Sequence, residues 1–408
     1  MRILHWKWVI LFSAFYTNFV SYGIRFSFGM LLPVMTSSLS LTAAQAGLIV
    51  GVYFICYTAF SPVAGALTDR IGARKVITLF CVVLGIGTTL MGTITGQSNA
   101  FLFYAMVGIG ASACWTPVVA LVQRWFPPRR KGAVLGIVTT GYAFGYGTLG
   151  LMIPIWVSTY GWRTCWYILG AMACSLIAIN AILLRDNPEE RNSKTRNSEP
   201  VTKTQKTPSA PVRAPSRTGY SEIVGASKFW LIGASYSMIA AAAYILTTFL
   251  VSFATFELRM RYEDAVPLVS LLAFAGVPGA LVLSTLSDYA GRRNALVLCN
   301  VLMMVSLAGL VSIGRTVPVL LPIVSIYGFS NGGIWPIYAA CTSEYFPKAL
   351  SGSVLGFWTV FYGIGATMGP AVAGYMADLS KTFFWSFVLA ALLAAGSVIL
   401  LLLVQKRK

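Results

Sequence analysis

Apolar residues are gathered into long runs, and short polar turns separate them. The runs lie near 8–33, 45–67, 76–95, 99–123, 132–157 and 163–184, then 228–252, 264–287, 294–313, 317–343, 351–376 and 381–404. A bilayer-spanning helix needs about 20 mainly apolar residues, and these runs meet that length. Backbone polar groups in hydrocarbon must be satisfied within the segment, so unbroken apolar runs predict helices. The pattern therefore predicts an all-α membrane protein with twelve transmembrane helices, grouped six and six. The first run is not a cleaved signal peptide: it is too long, carries Arg25 and lacks a small-residue cleavage pattern.

The halves are predicted at 1–184 and 228–408, joined by a basic linker at 185–227. The stretch from Arg185 to Glu222 is rich in Ser, Thr, Lys and Arg and holds Pro188, Pro200, Pro208, Pro211 and Pro215. It cannot bury apolar surface and is expected to be solvated. The halves also repeat. A shift of 220 residues aligns Trp115 with Trp335, Phe126 and Pro127 with Phe346 and Pro347, Gly132 with Gly352, Gly136 with Gly356 and Gly145 with Gly365. A shift of 219 aligns Asp69 with Asp288 and Gly72 with Gly291. Two six-helix units in the same orientation form a parallel repeat, which in transporters rocks about a site near the midplane.

Composition agrees. Of 408 residues, 57% are hydrophobic and only 10% charged, with a mean hydropathy of +0.74. Soluble domains carry about 25% charged residues. The net charge of +18 resembles a nucleic-acid signature until the charges are placed. Nearly all lie between runs or at the termini. Short loops and tails on one side hold Arg2, Lys7, Arg70, Arg74, Lys75, Arg124, Arg129, Arg130, Lys131, Arg292, Arg293, Lys348, Lys406, Arg407 and Lys408. The other side holds Arg163, Arg259, Arg261, Arg315 and Lys381. The asymmetry predicts both termini in the cytoplasm and no nucleic-acid partner. The seven cysteines lack metal-ligand spacing, and the single histidine, His5, precedes the first span, so no metal, cofactor or histidine chemistry is expected. No catalytic triad or phosphate loop is present, and an enzyme is not expected.

The first run contains one charge that the others do not match. In NFVSYGIRFSFGMLLP, Asn18, Tyr22, Arg25 and Gly29 share one helical face, and no acidic residue lies nearby in the run. A cation at this depth costs about 2.5–3.5 kcal/mol on insertion scales and usually faces a cavity or a partner. Arg25 lies roughly 12 Å inside Pro33 at 1.5 Å rise per residue, which is deep for snorkelling outward. No Asp, Glu or Lys lies near the middle of a span; Glu344 and Asp378 fall at helix ends. A cavity with one uncompensated cation prefers an anion, and guanidinium grips carboxylate through two bonds. Further polar candidates for the substrate site are Tyr142 and Tyr146 in the fifth run, Tyr327 and Asn331 with Tyr338 in the tenth, and Tyr362 in the eleventh. Trp115 and Trp335 read as packing or inner-gate residues, beside Pro117 and Pro336, which are able to kink their helices.

Two loops resemble a known family. GALTDRIGARK, Gly65 to Lys75, and STLSDYAGRR, Ser284 to Arg293, look like the two copies of the loop motif of the major facilitator superfamily. The second copy has Ser284 for the leading glycine and Tyr289 for the arginine. The resemblance covers the chain apart from the linker. It implies a latch on the cytoplasmic side in the outward-open state, with Gly65, Asp69, Arg70, Gly72, Arg74, Asp288, Gly291 and Arg292 as gating residues. Tyr22, Arg25 and Pro33 match the first-helix spacing of anion:cation symporters. RWFPPRRKGAVLGI, Arg124 to Ile137, and YGWR, Tyr160 to Arg163, resemble those symporters and the oxalate/formate and monocarboxylate porters. That branch implies carboxylate binding by Tyr22 and Arg25. Its proton-coupling residues do not carry over: Ile24 stands where the symporters have Asp.

The expected function is secondary transport of small mono- or dicarboxylates by rocker-switch alternating access, in a bacterial inner membrane, by a monomer. Exchange for another anion, uniport and proton symport all remain open as coupling modes. An exporter of amphipathic drugs or of neutral or anionic metabolites on the same fold is the alternative, and an inactive membrane sensor is a third.

Overall fold

The computed structural model describes residues 2–126, 131–186, 224–312, 316–347 and 351–404. Most of the expected linker, 187–223, and the basic residues Arg129, Arg130, Arg315, Lys348, Lys406, Arg407 and Lys408 lie outside them. Thirteen α-helices carry the described chain, with no strand among the described residues. They are α1 (Arg2–Leu39), α2 (Ala43–Ile71), α3 (Ala73–Leu90), α4 (Gln97–Ala111), α5 (Thr116–Trp125), α6 (Lys131–Leu183), α7 (Ser227–Phe256), α8 (Tyr262–Ala265), α9 (Pro267–Ala290), α10 (Arg292–Ser312), α11 (Val317–Tyr345), α12 (Ser351–Ser380) and α13 (Phe384–Leu403).

Each predicted run falls on one helix or helix pair. The fourth is split at Ser112–Trp115 just before Pro117, so α4 and α5 share it. The fifth and sixth are joined in α6 and separated by Gly161, whose φ of 79° only glycine adopts cheaply. Pro336 lies inside an uninterrupted α11. Nine stretches among the described residues are long and apolar enough to cross a membrane, one of them the 50-residue Val134–Leu183.

The repeat seen in the sequence recurs in the contacts. Arg74, at the start of α3, donates from Nε and Nη2 to the carbonyl of Ala181 near the end of α6. Arg293, at the start of α10, donates to the carbonyls of Leu401 and Leu402 near the end of α13, at 2.8 and 2.6 Å. The 219–220-residue shift maps Arg74 onto Arg293 and Ala181 onto Leu401. Both cations sit where helix carbonyls lack amide partners and the dipole is negative. Arg293, not Arg292, thus takes the place of Arg74. Arg292 instead pairs with Asp288 and bonds Ser287, with Glu344 3.8 Å from its Nε. Gly72 and Gly291 start these helices at φ of 93° and 84°, the left-handed region expected of a glycine turn.

The first six and last six spans meet away from these loops. α2 packs along α12, α1 along α7, and α6 along α9. A Cβ on Gly47 would strike the Pro370 carbonyl, and one on Gly374 the Ala43 carbonyl, so these helices touch backbone to backbone. Toward the loops, Gly65, Gly136 and Gly356 face open space, and Asp69 and Arg70 are exposed with no ion pair recorded among the described residues.

At the closed end, the Asp378 carboxylate of α12 accepts from the Ala43 and Ala44 amides of α2, at 2.9 and 2.8 Å. These are orphan donors of a helix N-terminus, where an anion is favoured. Thr42 and Gln45 satisfy others through a capping box. Asp378→Ala is expected to open this end. Hydrogen bonds to a partly buried charge are worth about 1–2 kcal/mol here, a shift of roughly 5–30-fold in the open population. Spin-label distances between Ser40 and Lys381 in the cysteine-substituted protein test this; an unchanged distance distribution sinks it.

Candidate functional site

Arg25 sits in the middle of α1 and is only 7% exposed. Its Nε donates to the Tyr53 hydroxyl of α2 at 2.7 Å. Its guanidinium carbon lies 4.5 Å from the ring centres of both Tyr22 and Tyr57, 5.3 Å from Tyr53 and 5.6 Å from Phe54. Desolvated cation–π contacts contribute about 2 kcal/mol or more, enough to hold a charge at this depth. No carboxylate pairs with it among the described residues. The helix is pinned locally: the Tyr104 hydroxyl of α4 donates to the Arg25 carbonyl at 2.9 Å.

The site lies where the two sets of spans meet. One small cavity is lined by Arg25, Gly29 and Tyr53 from the first set and by Tyr244, Thr247 and Thr248 of α7 from the second. A Cβ on Gly29 would stand 2.5 Å from the Thr247 carbonyl oxygen, so only glycine permits this approach. Pro33 removes the amide that would bond the Gly29 carbonyl, loosening the helix at the same level.

The other sequence candidates fall in several places. Tyr22, Tyr142, Tyr146, Asn331 and Tyr362 join the aromatic layer that crosses the two sets of spans. Tyr22 meets Tyr142 edge-on at 5.2 Å, and Tyr146 stacks on Phe26 at 4.1 Å. Phe26 in turn stacks on Tyr244, whose hydroxyl is 2.5 Å from that of Tyr362. Asn331 donates to the Tyr142 hydroxyl at 3.4 Å. Trp335 packs edge-on to Tyr362 at 5.6 Å and against Tyr236, so it belongs to this layer. Asn18 stands apart: it donates to the Ala14 carbonyl and packs on Gly141 of α6. Tyr327 donates to the Ala243 carbonyl at 3.2 Å. Tyr338 lies inside the second bundle with Ser235, Asn300 and Ser397. Trp115 lies in the break between α4 and α5, half-buried.

Tyr53, Phe54 and Tyr57 of α2, Tyr104 of α4 and Tyr244 of α7 went unmarked in the sequence. The signal was YFICY: Tyr53 and Tyr57 are four apart and share a helical face.

Helical membrane spans in two repeated sets, meeting around a buried cation, define a carrier-type membrane protein rather than an enzyme. The chain belongs to the Major Facilitator Superfamily, whose family model matches residues 14–370 and 326–408. It is therefore a multi-pass membrane transporter. It is 24% identical over 416 residues to monocarboxylate transporter 13 of Rattus norvegicus, covering 98% of this chain and 89% of that one. It is 23% identical over 401 residues to a hexuronate transporter of Bacillus subtilis (strain 168), covering 95% and 91%. The fold matches a bacterial homolog of the human lysosomal transporter Spinster, solved inward-facing and unoccupied, with a TM-score of 0.77, 16% identity and 97% of each chain covered.

Proposed function

We propose that this protein is a secondary transporter of small organic anions, with Arg25 holding the substrate carboxylate. The observation that carries the reading is a buried guanidinium with no acidic partner among the described residues, placed where the two sets of spans meet. With Nε engaged by Tyr53, the two Nη groups form the remaining fork, and a carboxylate docks on it end-on through two bonds. Relatives named for monocarboxylates and hexuronates support an organic acid.

Lys and Arg asymmetry supports a cytoplasmic side for the 65–75 and 284–293 loops, and a bacterial inner membrane is the location we propose. On that orientation the packed α2–α12 seam, with Asp69 exposed and without an ion pair among the described residues, supports reading this conformer as inward-open. Re-engagement of the Asp69 loop would accompany the outward-open state. Among the described residues that line the Arg25 cavity, the other ionisable groups are phenols, which favours exchange of one anion for another over a dedicated proton relay. Arg25→Ala is expected to abolish carboxylate uptake into proteoliposomes while the purified protein remains folded and monodisperse. Uptake at the native rate in that variant defeats the assignment.

A further inference from the structure

We propose that the cavity at the start of α9 binds the headgroup of an aminophospholipid, with Arg259 holding the phosphate and Glu263 the primary ammonium. The proposal is independent of the reading of Arg25.

The cavity has a volume of about 610 Å³ and is lined by the 258–264 segment, the first turn of α9 and Leu321 of α11. That volume lies within the range of about 300–1,000 Å³ found for small-molecule sites. From this end α9 runs 24 residues to Ala290, about 36 Å at 1.5 Å per residue. A bilayer has a hydrocarbon core of about 30 Å, so the cavity stands at headgroup level in the leaflet opposite the 284–293 loop.

Its lining divides into an apolar wall and a charged rim. Leu258, Leu268 and Leu321 supply the wall, and Leu321 remains 43% exposed, where acyl chains begin. The rim sets Arg259 and Arg261 against Glu263 and Asp264. Two cations against two anions make it neutral overall, which favours a zwitterion over an anion. Arg261 is already engaged: its Nε and Nη2 donate to the Asp264 carboxylate at 2.8 and 3.3 Å. Arg259 and Glu263 are exposed, and neither makes an ion pair among the described residues. An unpaired cation and an unpaired anion in one cavity match a phosphate and an ammonium joined by a short ethylene link. Guanidinium takes phosphate through two bonds, and a primary ammonium donates to carboxylate. A trimethylated ammonium has no N–H to give, and a glycerol headgroup has no positive charge to answer Glu263.

The backbone adds a second observation. Arg259 has a φ of 57°, in the left-handed region that a side chain disfavours. The shift of 219 residues maps it onto Ser40, with a φ of 52°, so this turn belongs to both halves of the fold. The turn fixes φ but does not call for a long cation; glycine adopts it without strain. Arginine stands there at a conformational cost, and such strain gathers where a side chain has work to do.

The test titrates the full-length protein in detergent with phosphatidylethanolamine, phosphatidylcholine and phosphatidylglycerol of the same acyl chains, read by native mass spectrometry. Phosphatidylethanolamine is expected to bind at least about tenfold tighter than the other two, the worth of one charged hydrogen bond. Arg259→Gly is expected to weaken it by about tenfold or more. In that variant the melting temperature without lipid stays equal or rises, because glycine relieves the left-handed residue. Arg259→Gln, which keeps a long side chain without the charge, is expected to lose the lipid likewise. Glu263→Gln brings phosphatidylethanolamine to within about twofold of phosphatidylcholine. Glycerophosphoethanolamine, the same headgroup without chains, is expected to bind at least about 100-fold more weakly, since buried methylenes contribute much of a lipid's affinity. Equal affinities for the three lipids, or unchanged phosphatidylethanolamine affinity in Arg259→Gly and Arg259→Gln, overturns the site. Soluble headgroup binding as tightly as the lipid would assign the cavity to a free phosphate ester and overturns it equally.

Discussion

Gly47→Val is expected to stop transport while leaving each set of spans folded. Gly47 of α2 faces the backbone of α12: a Cβ there collides with the Pro370 carbonyl oxygen and stands 2.6 Å from its carbon and 3.0 Å from the Ala371 Cα. These are backbone atoms, so no side-chain rotation relieves the clash. Overpacking of this kind costs about 1–3 kcal/mol, more where relaxation is blocked. Here the strain has an exit, because separating α2 from α12 removes it. In an alternating-access carrier only the conformer closed at this seam is penalised. A differential of about 3 kcal/mol moves the balance by roughly 100-fold, and a carrier held in one state does not cycle. Uptake in proteoliposomes should fall by a comparable factor, and a cysteine at Lys381 should label faster. Gly96→Val is the matched control, since nothing lies within 4 Å of a Cβ there and its backbone is extended. Native uptake in Gly47→Val would show that the seam need not close.

The second large effect is expected from Arg25→Lys, which keeps the charge and discards the fork. Lysine presents one compact ammonium, forms no planar two-point contact with a carboxylate and stacks less well on rings. It also cannot reproduce the bond from Nε to Tyr53 while reaching outward. Losing one charged hydrogen bond to the ligand costs about 1.5–3 kcal/mol, or roughly 10–150-fold in affinity. Tyr53→Phe should give a smaller loss in the same direction, since its ring stays beside the guanidinium while the hydroxyl that orients Nε is gone. Substrate titrations of uptake separate the cases: KM rises in both, and the maximal rate changes little in Tyr53→Phe. A lysine variant with native KM would mean that charge alone suffices and the end-on docking is wrong.

The helical architecture was legible because a bilayer leaves the chain few choices. Runs near 20 apolar residues read as spans, and Gly72, Gly161 and Gly291 each fall at a turn with positive φ. Arg25 was legible for the same reason: a lone charge in an apolar run is costly enough to need a purpose. Its surroundings were not. Tyr53 and Tyr57 look like ordinary span residues until α2 is laid against α1, and helix-to-helix register is not written in hydropathy. Tyr244 was equally silent, lying in a run of alanines and apolar residues on a helix far along the chain. The match of Arg74 with Arg293 was legible, since the 219-residue shift aligns them, whereas Arg292, named in the gating set, stands one position earlier. One residue of shift rotates a helical position by about 100°, enough to turn a side chain from the neighbouring helix end to the loop.

The seam along Gly47, Gly374 and Pro370 is peptide against peptide, with the Asp378 cap as its charged fastening. Dispersion between close-packed uncharged atoms is indifferent to dissolved ions, whereas exposed ion pairs weaken as the Debye length shrinks. A seam made this way is expected to hold in brine and in fresh water alike.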